Sequence, residues 1–260
     1  MTDATLDISI VIVSWNVKRL LRKCLRSIYN STQGQQFEIF VVDNASRDGT
    51  PEMVRAEFPD VHLIANSDNV GFGRANNQAL RLCKGRYVLL TNPDTVIPPD
   101  AIHRMIAFMK RRPRAGLVGP ELVGEHGQLP VNWVRWSPVH FFEFIIENIV
   151  SMVSGQTHIL FRRPHRVNIL TGACWMTRYE TMAEIGLYDE DFFMYAEEPD
   201  VCTRMRDAGW EIWLLRDILV THYKGQSVRL HKWGWHLPIF ARSMTLWLTK
   251  RWRTKLSALS

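Results

Sequence analysis

The 260-residue chain predicts an α/β fold in which a parallel, doubly wound sheet is flanked by helices. Three observations predict it. Short β-branched runs alternate with helical patterns over roughly the first 120 residues. Several of those runs end in polar residues, as strands do when their carboxyl ends face a ligand cleft. The composition, 46% hydrophobic and 22% charged, is that of an ordinary globular protein.

The elements follow in order. Ile8-Ser9-Ile10-Val11-Ile12-Val13 reads as the first strand. From Asn16 a helical pattern begins, with Leu20, Leu21, Cys24, Leu25 and Ile28 at three- and four-residue spacing. Phe37-Glu38-Ile39-Phe40-Val41-Val42 is the second strand and ends at Asp43-Asn44-Ala45-Ser46. A helix over residues 50–58 carries Pro51 in its first turn, where a missing N–H costs nothing. Val61-His62-Leu63-Ile64 is a short third strand, and residues 71–82 are a loop running into a helix. Tyr87 to Thr91 is the fourth strand, residues 99–110 a helix, and Leu117-Val118-Gly119 another strand. Such alternation implies right-handed crossovers. It brings Asn16, Asp43, Asn44 and Asp94 to one edge of the sheet.

Charge and cysteine usage narrow the class. Cys24, Cys83, Cys174 and Cys202 are scattered and form no CxxC, which fits a reducing compartment without structural zinc. The N-terminal residues lack the basic and apolar regions of a signal peptide, and no apolar run reaches the length of a membrane span. Of the 32 Lys/Arg, eight fall in residues 218–260, where there is no Asp or Glu. The rest of the chain is near neutral. A near-neutral domain with a basic tail argues for a localised electrostatic contact and against general nucleic-acid binding. The apolar stretch 139–153 has two readings: a core or docking helix, or a surface helix near a lipid interface.

Several side chains carry candidate chemistry. Asp43, at a strand end, can accept the N3–H of a pyrimidine on which Trp15 stacks; the alternative is that Asp43 or Ser46 caps the next turn. Asn69-Val70-Gly71-Phe72-Gly73-Arg74-Ala75-Asn76-Asn77 is a Gly-rich loop entering a helix, whose N–H groups can approach phosphate or ribose. Asn76 replaces the third glycine of a dinucleotide fingerprint, and the loop follows the third strand, so NAD binding is poorly supported. Asn92-Pro93-Asp94-Thr95 is good turn chemistry, and Asp94 is also the best ligand for a hard cation, Mg²⁺ or Mn²⁺, that keeps positions open for phosphate. Glu197, Glu198 and Asp200 are either a solvated helix start or partly buried acids behind Phe192-Phe193-Met194-Tyr195. Burial would raise the pKa of such a carboxyl towards the working pH of a general base. His222 ends an apolar run and precedes Lys224; with Arg229 it can face a diphosphate or a metal.

In sequence order these strings resemble the family 2 inverting glycosyltransferases of the GT-A fold. The matching elements are Val13-Ser14-Trp15-Asn16, Val42-Asp43-Asn44-Ala45-Ser46-Arg47-Asp48-Gly49, the 69–77 loop and Asn92-Pro93-Asp94. They continue with Gly172-Ala173-Cys174-Trp175-Met176, Phe192-Phe193-Met194-Tyr195-Ala196-Glu197-Glu198-Pro199-Asp200 and His222-Tyr223-Lys224-Gly225-Gln226-Ser227. Within the family the chain looks most like bacterial rhamnosyltransferases of cell-surface polysaccharide synthesis.

The resemblance implies a GT-A, Rossmann-like, mostly parallel sheet with C-terminal acceptor-side elements. It implies a nucleotide-sugar-binding half over residues 1–120, an acceptor half over 121–230 and a tail over 231–260. Implied donor contacts are Trp15, Asn16, Asp43, Asn44, Gly71, Asn76, Asn92, Asp94, Gly172, Ala173 and Trp175. Asp94 and His222 are the implied metal ligands, and Glu198 the implied base. Glu197, Asp200, Lys224 and Arg229 support the acceptor side. The implied reaction moves a sugar, best dTDP-L-rhamnose, to a glycan or polyprenyl-diphosphate-linked acceptor. Three departures stand out: Glu198 where the family usually has Asp, Asn92 for the first acid of DxD, and Pro199 inside the acidic motif.

In the tail, Leu237, Ala241, Met244, Leu248 and Trp252 lie near one helical face, with Arg242, Lys250, Arg251 and Arg253 elsewhere. This mixture suits a basic amphipathic helix on an anionic bilayer, and hence a cytoplasmic protein peripheral to the inner face of the cell membrane. The other reading is a helix packed on the domain. A silent module docking nucleic acid through the tail is a rival, but the strand-end acids would repel phosphodiester. A sugar nucleotidyltransferase would want a Gly-rich triphosphate loop after the first strand, and Ser14-Trp15-Asn16-Val17 offers none.

Overall fold

The computed structural model of the protein describes residues 6–125, 162–223 and 233–257, together with 133–134 and positions 146, 150 and 153. Most of the apolar stretch 139–153, and Lys224 and Arg229, lie outside the described residues.

Strands β1 (Ile8–Ser14), β2 (Phe37–Asp43), β3 (His62–Ala65) and β4 (Tyr87–Thr91) sit where the β-branched runs predict them. Between them run helices α1 (Lys18–Ser31), α2 (Thr50–Glu57) and α3 (Phe72–Leu80). Next come β5 (Thr95–Val96), α4 (Ala101–Arg111) and β6 (Ala115–Val123). After β7 (Trp133–Val134), β8 (His165–Arg166) and β9 (Ile169–Leu170), the chain forms β10 (Cys174–Arg178) and α5 (Tyr179–Glu184). Helix α6 (Glu197–Asp207), β11 (Glu211–His222) and helix α7 (Trp233–Ser257) complete it.

The main sheet runs β3-β2-β1-β4-β10-β6-β11-β5, with β8 also on β11. Strands β1 to β4 are mutually parallel, as are β6 and β11; β10 lies antiparallel between β4 and β6. The order reverses between β1 and β4, so a crevice opens beyond their carboxyl ends. Because β10 is antiparallel, it starts where β4 ends, with Cys174 opposite Thr91.

Alternation along the strands fills a core on each face. Ile8, Ile10 and Ile12 pack with Leu21, Cys24, Leu25 and Ile28 of α1 and with Ile102, Met105 and Met109 of α4. On the other face, Val11, Phe40 and Val42 meet Ala75 and Ala79 of α3 and Val201, Cys202 and Met205 of α6. All the residues of β4 are buried, as expected of a central parallel strand. Gly85 leads into β4 so close to β1 that a Cβ would lie 2.3 Å from the Ser9 nitrogen.

Helix α7 packs on the domain along one side and leaves apolar side chains exposed on another. Ser243 is buried and donates to the Met194 carbonyl at 2.8 Å, and Phe240 packs edge-on against Tyr195 with ring centres 5.7 Å apart. Lys250 pairs with Asp189 and Asp191, and Arg251 with Asp207. Those two cations, expected on a lipid-facing surface, are therefore held by acids of the domain. Leu237, Leu248 and Trp252 point outward and are exposed. No helix among the described residues is long and apolar enough to cross a membrane.

Candidate active site

The carboxyl end of β4 carries the first acid. Beyond Thr91 the chain turns through Asn92, Pro93 and Asp94, and hydrogen bonds fix that turn. Thr95 Oγ1 donates to the Asn92 carbonyl at 2.9 Å and lies 2.7 Å from Thr91 Oγ1. Two-residue β5 pairs with the end of β11, placing His222 opposite Thr95. The Tyr223 N–H donates to the Asp94 carbonyl at 2.9 Å, and Asp94 Oδ1 lies 3.2 Å from His222 Nε2. Both side chains are nearly buried.

The second acid joins this turn through β10. The Asn92 N–H donates to the Ala173 carbonyl at 2.8 Å, and the Gly172 N–H lies 3.3 Å from Glu198 Oε1. A Cβ on Gly172 would lie 2.8 Å from Glu198 Cγ. Glycine here makes room for the carboxylate itself. Asp94, Asn92, Ala173, Gly172, Glu198 and His222 thus form one contiguous group, although its extremes, Asn92 and His222, lie far apart in sequence.

Glu197 and Glu198 begin α6, with Pro199 third, inside the first turn where helical N–H groups have no partner to lose. Glu198 is half-buried, and burial raises its carboxyl above the usual range despite the Gly172 N–H. Glu197 is buried, and burial together with Glu198 and Asp200 pushes it up to about 8. Its Oε1 has no hydrogen-bond partner. Asp200 is engaged within its own helix. It pairs with Arg204, which also reaches the Ile185 and Leu187 carbonyls and so ties α6 to the preceding loop.

Asp43 closes the turn at the end of β2. One oxygen accepts the Ser46 N–H at 2.8 Å and holds the turn; the other, Oδ1, is buried without a partner. Burial raises the carboxyl more than the Ser46 donors lower it. Asn16 adopts a left-handed φ of 53° and accepts the Arg47 N–H at 2.7 Å, so the β1 and β2 termini are stitched together. Trp15 lies in this stitched pair of turns and is partly exposed.

Four residues expected at the donor make close contacts within the domain. Asn44 is buried; its Nδ2 donates to the Gly71 carbonyl and its Oδ1 accepts from Asn66. Asn76 is buried and donates to the Phe72 carbonyl one turn back. Gly71 allows close approach of Phe193, whose carbonyl would lie 2.6 Å from a Cβ there. Trp175 is wholly enclosed in the core under β10. Small polar and glycine residues near strand ends look alike in sequence whether they bind a ligand or a neighbouring loop. Asn77, which the motif reading left without a role, clasps Tyr188 in both directions, donating to its carbonyl at 2.9 Å and accepting its N–H at 3.0 Å. No sequence signal marks that contact, because its partner is 111 positions away.

Among the described residues no three His, Cys, Asp or Glu side chains cluster to hold a metal ion. Asp94 and His222 make a two-residue donor set. That set fits Mg²⁺ or Mn²⁺, cations that draw remaining ligands from phosphate and water.

Comparison with known proteins gives the family and the fold. Residues 9–186 match the model for "Glycosyl transferase family 2". The N-acetylglucosaminyl-diphospho-decaprenol L-rhamnosyltransferase of Mycobacterium tuberculosis is 26% identical over an alignment covering 98% of this chain and 89% of that protein. A low-salt glycan biosynthesis hexosyltransferase of Haloferax volcanii is 28% identical over 77% of this chain and 62% of its own length. Among solved structures, GalNAc-T7 with UDP, GalNAc and Mn²⁺ superposes with a TM-score of 0.63 at 16% identity, covering 85% of this chain and 44% of that one. The Pyrobaculum calidifontis mannosyltransferase in complex with GDP-Man and Mn²⁺ gives 0.60 at 21%, covering 85% and 59%. These two carry the fold, which is that of the GT-A glycosyltransferases. With a family model matching more than half its length, the chain belongs to glycosyl transferase family 2 and is a glycosyltransferase.

Proposed function

We propose that this glycosyltransferase moves a sugar from a nucleoside-diphosphate donor, best dTDP-L-rhamnose, to a glycan or polyprenyl-diphosphate-linked acceptor in cell-surface polysaccharide synthesis, inverting the anomeric centre. The observation that carries the mechanism is the chain of contacts from Asp94 through Asn92, Ala173 and Gly172 to Glu198. In this reading it links a cation-holding acid to a proton-accepting acid through the β4–β10 junction. The name of the mycobacterial relative, a rhamnosyltransferase acting on a diphospho-decaprenol glycan, supports the donor and the acceptor class.

Residues 1–120 hold the donor in this reading. Asp43 offers its unpartnered oxygen to the N3–H of thymine or uracil, and Trp15 its ring face. Asp94 and His222 would hold Mg²⁺ or Mn²⁺, which would supply positive charge to the leaving diphosphate. Residues 121–230 supply the acceptor side. Glu198 takes the proton from the acceptor hydroxyl as that oxygen attacks the anomeric carbon from the face opposite the leaving group. Burial raises its pKa above the ordinary carboxyl range, which strengthens it as a proton acceptor. One displacement inverts the configuration.

The residues beyond 230 attach the protein to the inner face of the membrane, with Leu237, Leu248 and Trp252 as the contacting side chains. Their exposure on one outward face supports this. The test of the function is a panel of nucleotide sugars with Mn²⁺ and a polyprenyl-diphosphate-linked acceptor. dTDP-L-rhamnose should release nucleoside diphosphate fastest. Consumption of a UDP- or GDP-sugar but not the dTDP-sugar would overturn the donor assignment.

A further inference from the structure

The segment that delivers Glu198 to the site is held in an unfavourable backbone conformation. Tyr195 and Ala196, both non-glycine and consecutive, have φ of 70°. Residues with side chains adopt this left-handed region sparingly, and two in a row persist only where surrounding contacts fix them. The turn they make sets the direction in which α6 starts and therefore where Glu197 and Glu198 point.

Two sets of contacts fix it. On the domain side, the Phe193 carbonyl accepts the Phe72 N–H at 2.9 Å against the open face of Gly71. On the other side stands α7. Ser243 Oγ donates to the Met194 carbonyl, Phe240 packs on the Tyr195 ring, and Lys250 bridges Asp189 and Asp191 while lying 5.5 Å over the Phe192 ring. One helix thus grips residues 189–195 at both ends, Phe240 and Ser243 at Tyr195 and Met194 and Lys250 at Asp189 and Asp191. The remaining acid of this stretch, Glu190, is held from α3 and its end by Asn77, Arg74 and Arg81.

We propose that α7 is a brace for catalysis, with Lys250 and Ser243 as positioning residues that hold the Tyr195–Ala196 turn and through it aim the Glu198 carboxylate. This rests on the proposed role of Glu198 as base. The helix that presents Leu248 and Trp252 outward grips the base-bearing loop on its inner side, so any surface engaging that outer face also bears on the geometry of the site.

The test uses the full chain with Lys250→Met, Lys250→Arg and a Phe240→Ala/Ser243→Ala double variant, with exposed Thr249→Ala as control. Turnover with saturating donor and acceptor, donor KM, and amide hydrogen exchange over residues 189–198 are measured for each. Lys250→Met and the double variant should lose about tenfold or more in kcat, because small misplacement of a reacting group is costly, with donor KM within about twofold. Exchange should rise in 189–198 and stay unchanged in β1 and β4. Lys250→Arg should recover most of the turnover, and Thr249→Ala should behave as wild type. Unchanged exchange in 189–198 in both Lys250→Met and the double variant would overturn the brace. So would a loss of protection spread evenly over the sheet. Exchange is read without turnover, so normal activity of a Glu198→Gln variant would sink the base assignment while leaving the brace to be judged by protection alone.

Discussion

At Gly172 a single hydrogen atom in place of a methyl group decides where a carboxylate stands. A Cβ there would meet Glu198 Cγ at 2.8 Å, closer than real Cβ contacts come, so the glutamate would have to rotate or α6 would have to shift. Gly172→Ala should therefore lower kcat by about 10- to 100-fold, the scale of a misplaced catalytic group, while stability changes little. Kinetics with a parallel thermal melt would check this; wild-type turnover would mean that Glu198 works from another position. The sequence supplied Gly172 as a small residue beside the site. It could not supply the reason, because the partner lies 26 positions away on another element. Asp43 was more legible: a strand-end acid before Ser46 reads both as a turn cap and as a ligand, and the structure gives one oxygen to the turn and leaves the other buried without a partner.

Among the elements, α6 carries the strongest electrostatic tension. Glu197 is the first residue of the helix, where the N-terminal dipole favours negative charge. Burial opposes this and wins, holding its pKa at about 8. The sign of the consequence is fixed. Between the ordinary carboxyl pKa and about 8 the folded chain keeps a proton that the unfolded chain releases, so stability falls as pH rises through that window. Glu198, also raised by burial, adds in the same direction. Each fully responding group steepens the decline by about 1.4 kcal/mol per pH unit. Glu197→Gln should make the decline visibly shallower in urea melts between pH 5 and about 8. An unchanged slope would contradict a protonated Glu197. The elements themselves were read unevenly. Strands β1 to β4 and helices α1 to α4 announce themselves by period and by β-branched runs. Two-residue β5 does not, since Asn-Pro-Asp-Thr reads as a turn, yet β5 is what brings His222 to Asp94. Only the end of twelve-residue β11 stood out, because Arg216 and Asp217 interrupt its apolar pattern.

For the whole molecule, strand order converts local chemistry into a site. Reversal between β1 and β4 opens the crevice, and antiparallel β10 returns Gly172 and Ala173 to the end of β4. The tail was legible in composition but not in orientation. Its outward stripe appears as expected, whereas Lys250 and Arg251 turn towards Asp189, Asp191 and Asp207. The charge left for the proposed membrane contact is correspondingly smaller than a count of basic residues suggests, so apolar contact would carry the larger share of such an affinity. Liposome flotation should therefore depend more on Leu248 and Trp252 than on salt. A Leu248→Ser/Trp252→Ser variant should stay in solution; flotation equal to wild type would remove these side chains from the attachment. The measurement that tests the central claim most directly compares wild type, Asp94→Ala and Glu198→Gln for Mn²⁺-dependent donor binding by calorimetry and for sugar transfer in the same preparations. Asp94→Ala should lose metal-dependent binding, and Glu198→Gln should bind donor as wild type yet transfer at least about a hundredfold more slowly, as expected for loss of a general base. Glu198→Gln with normal transfer, or Asp94→Ala with undiminished metal-dependent binding, would contradict a single site built from these two acids.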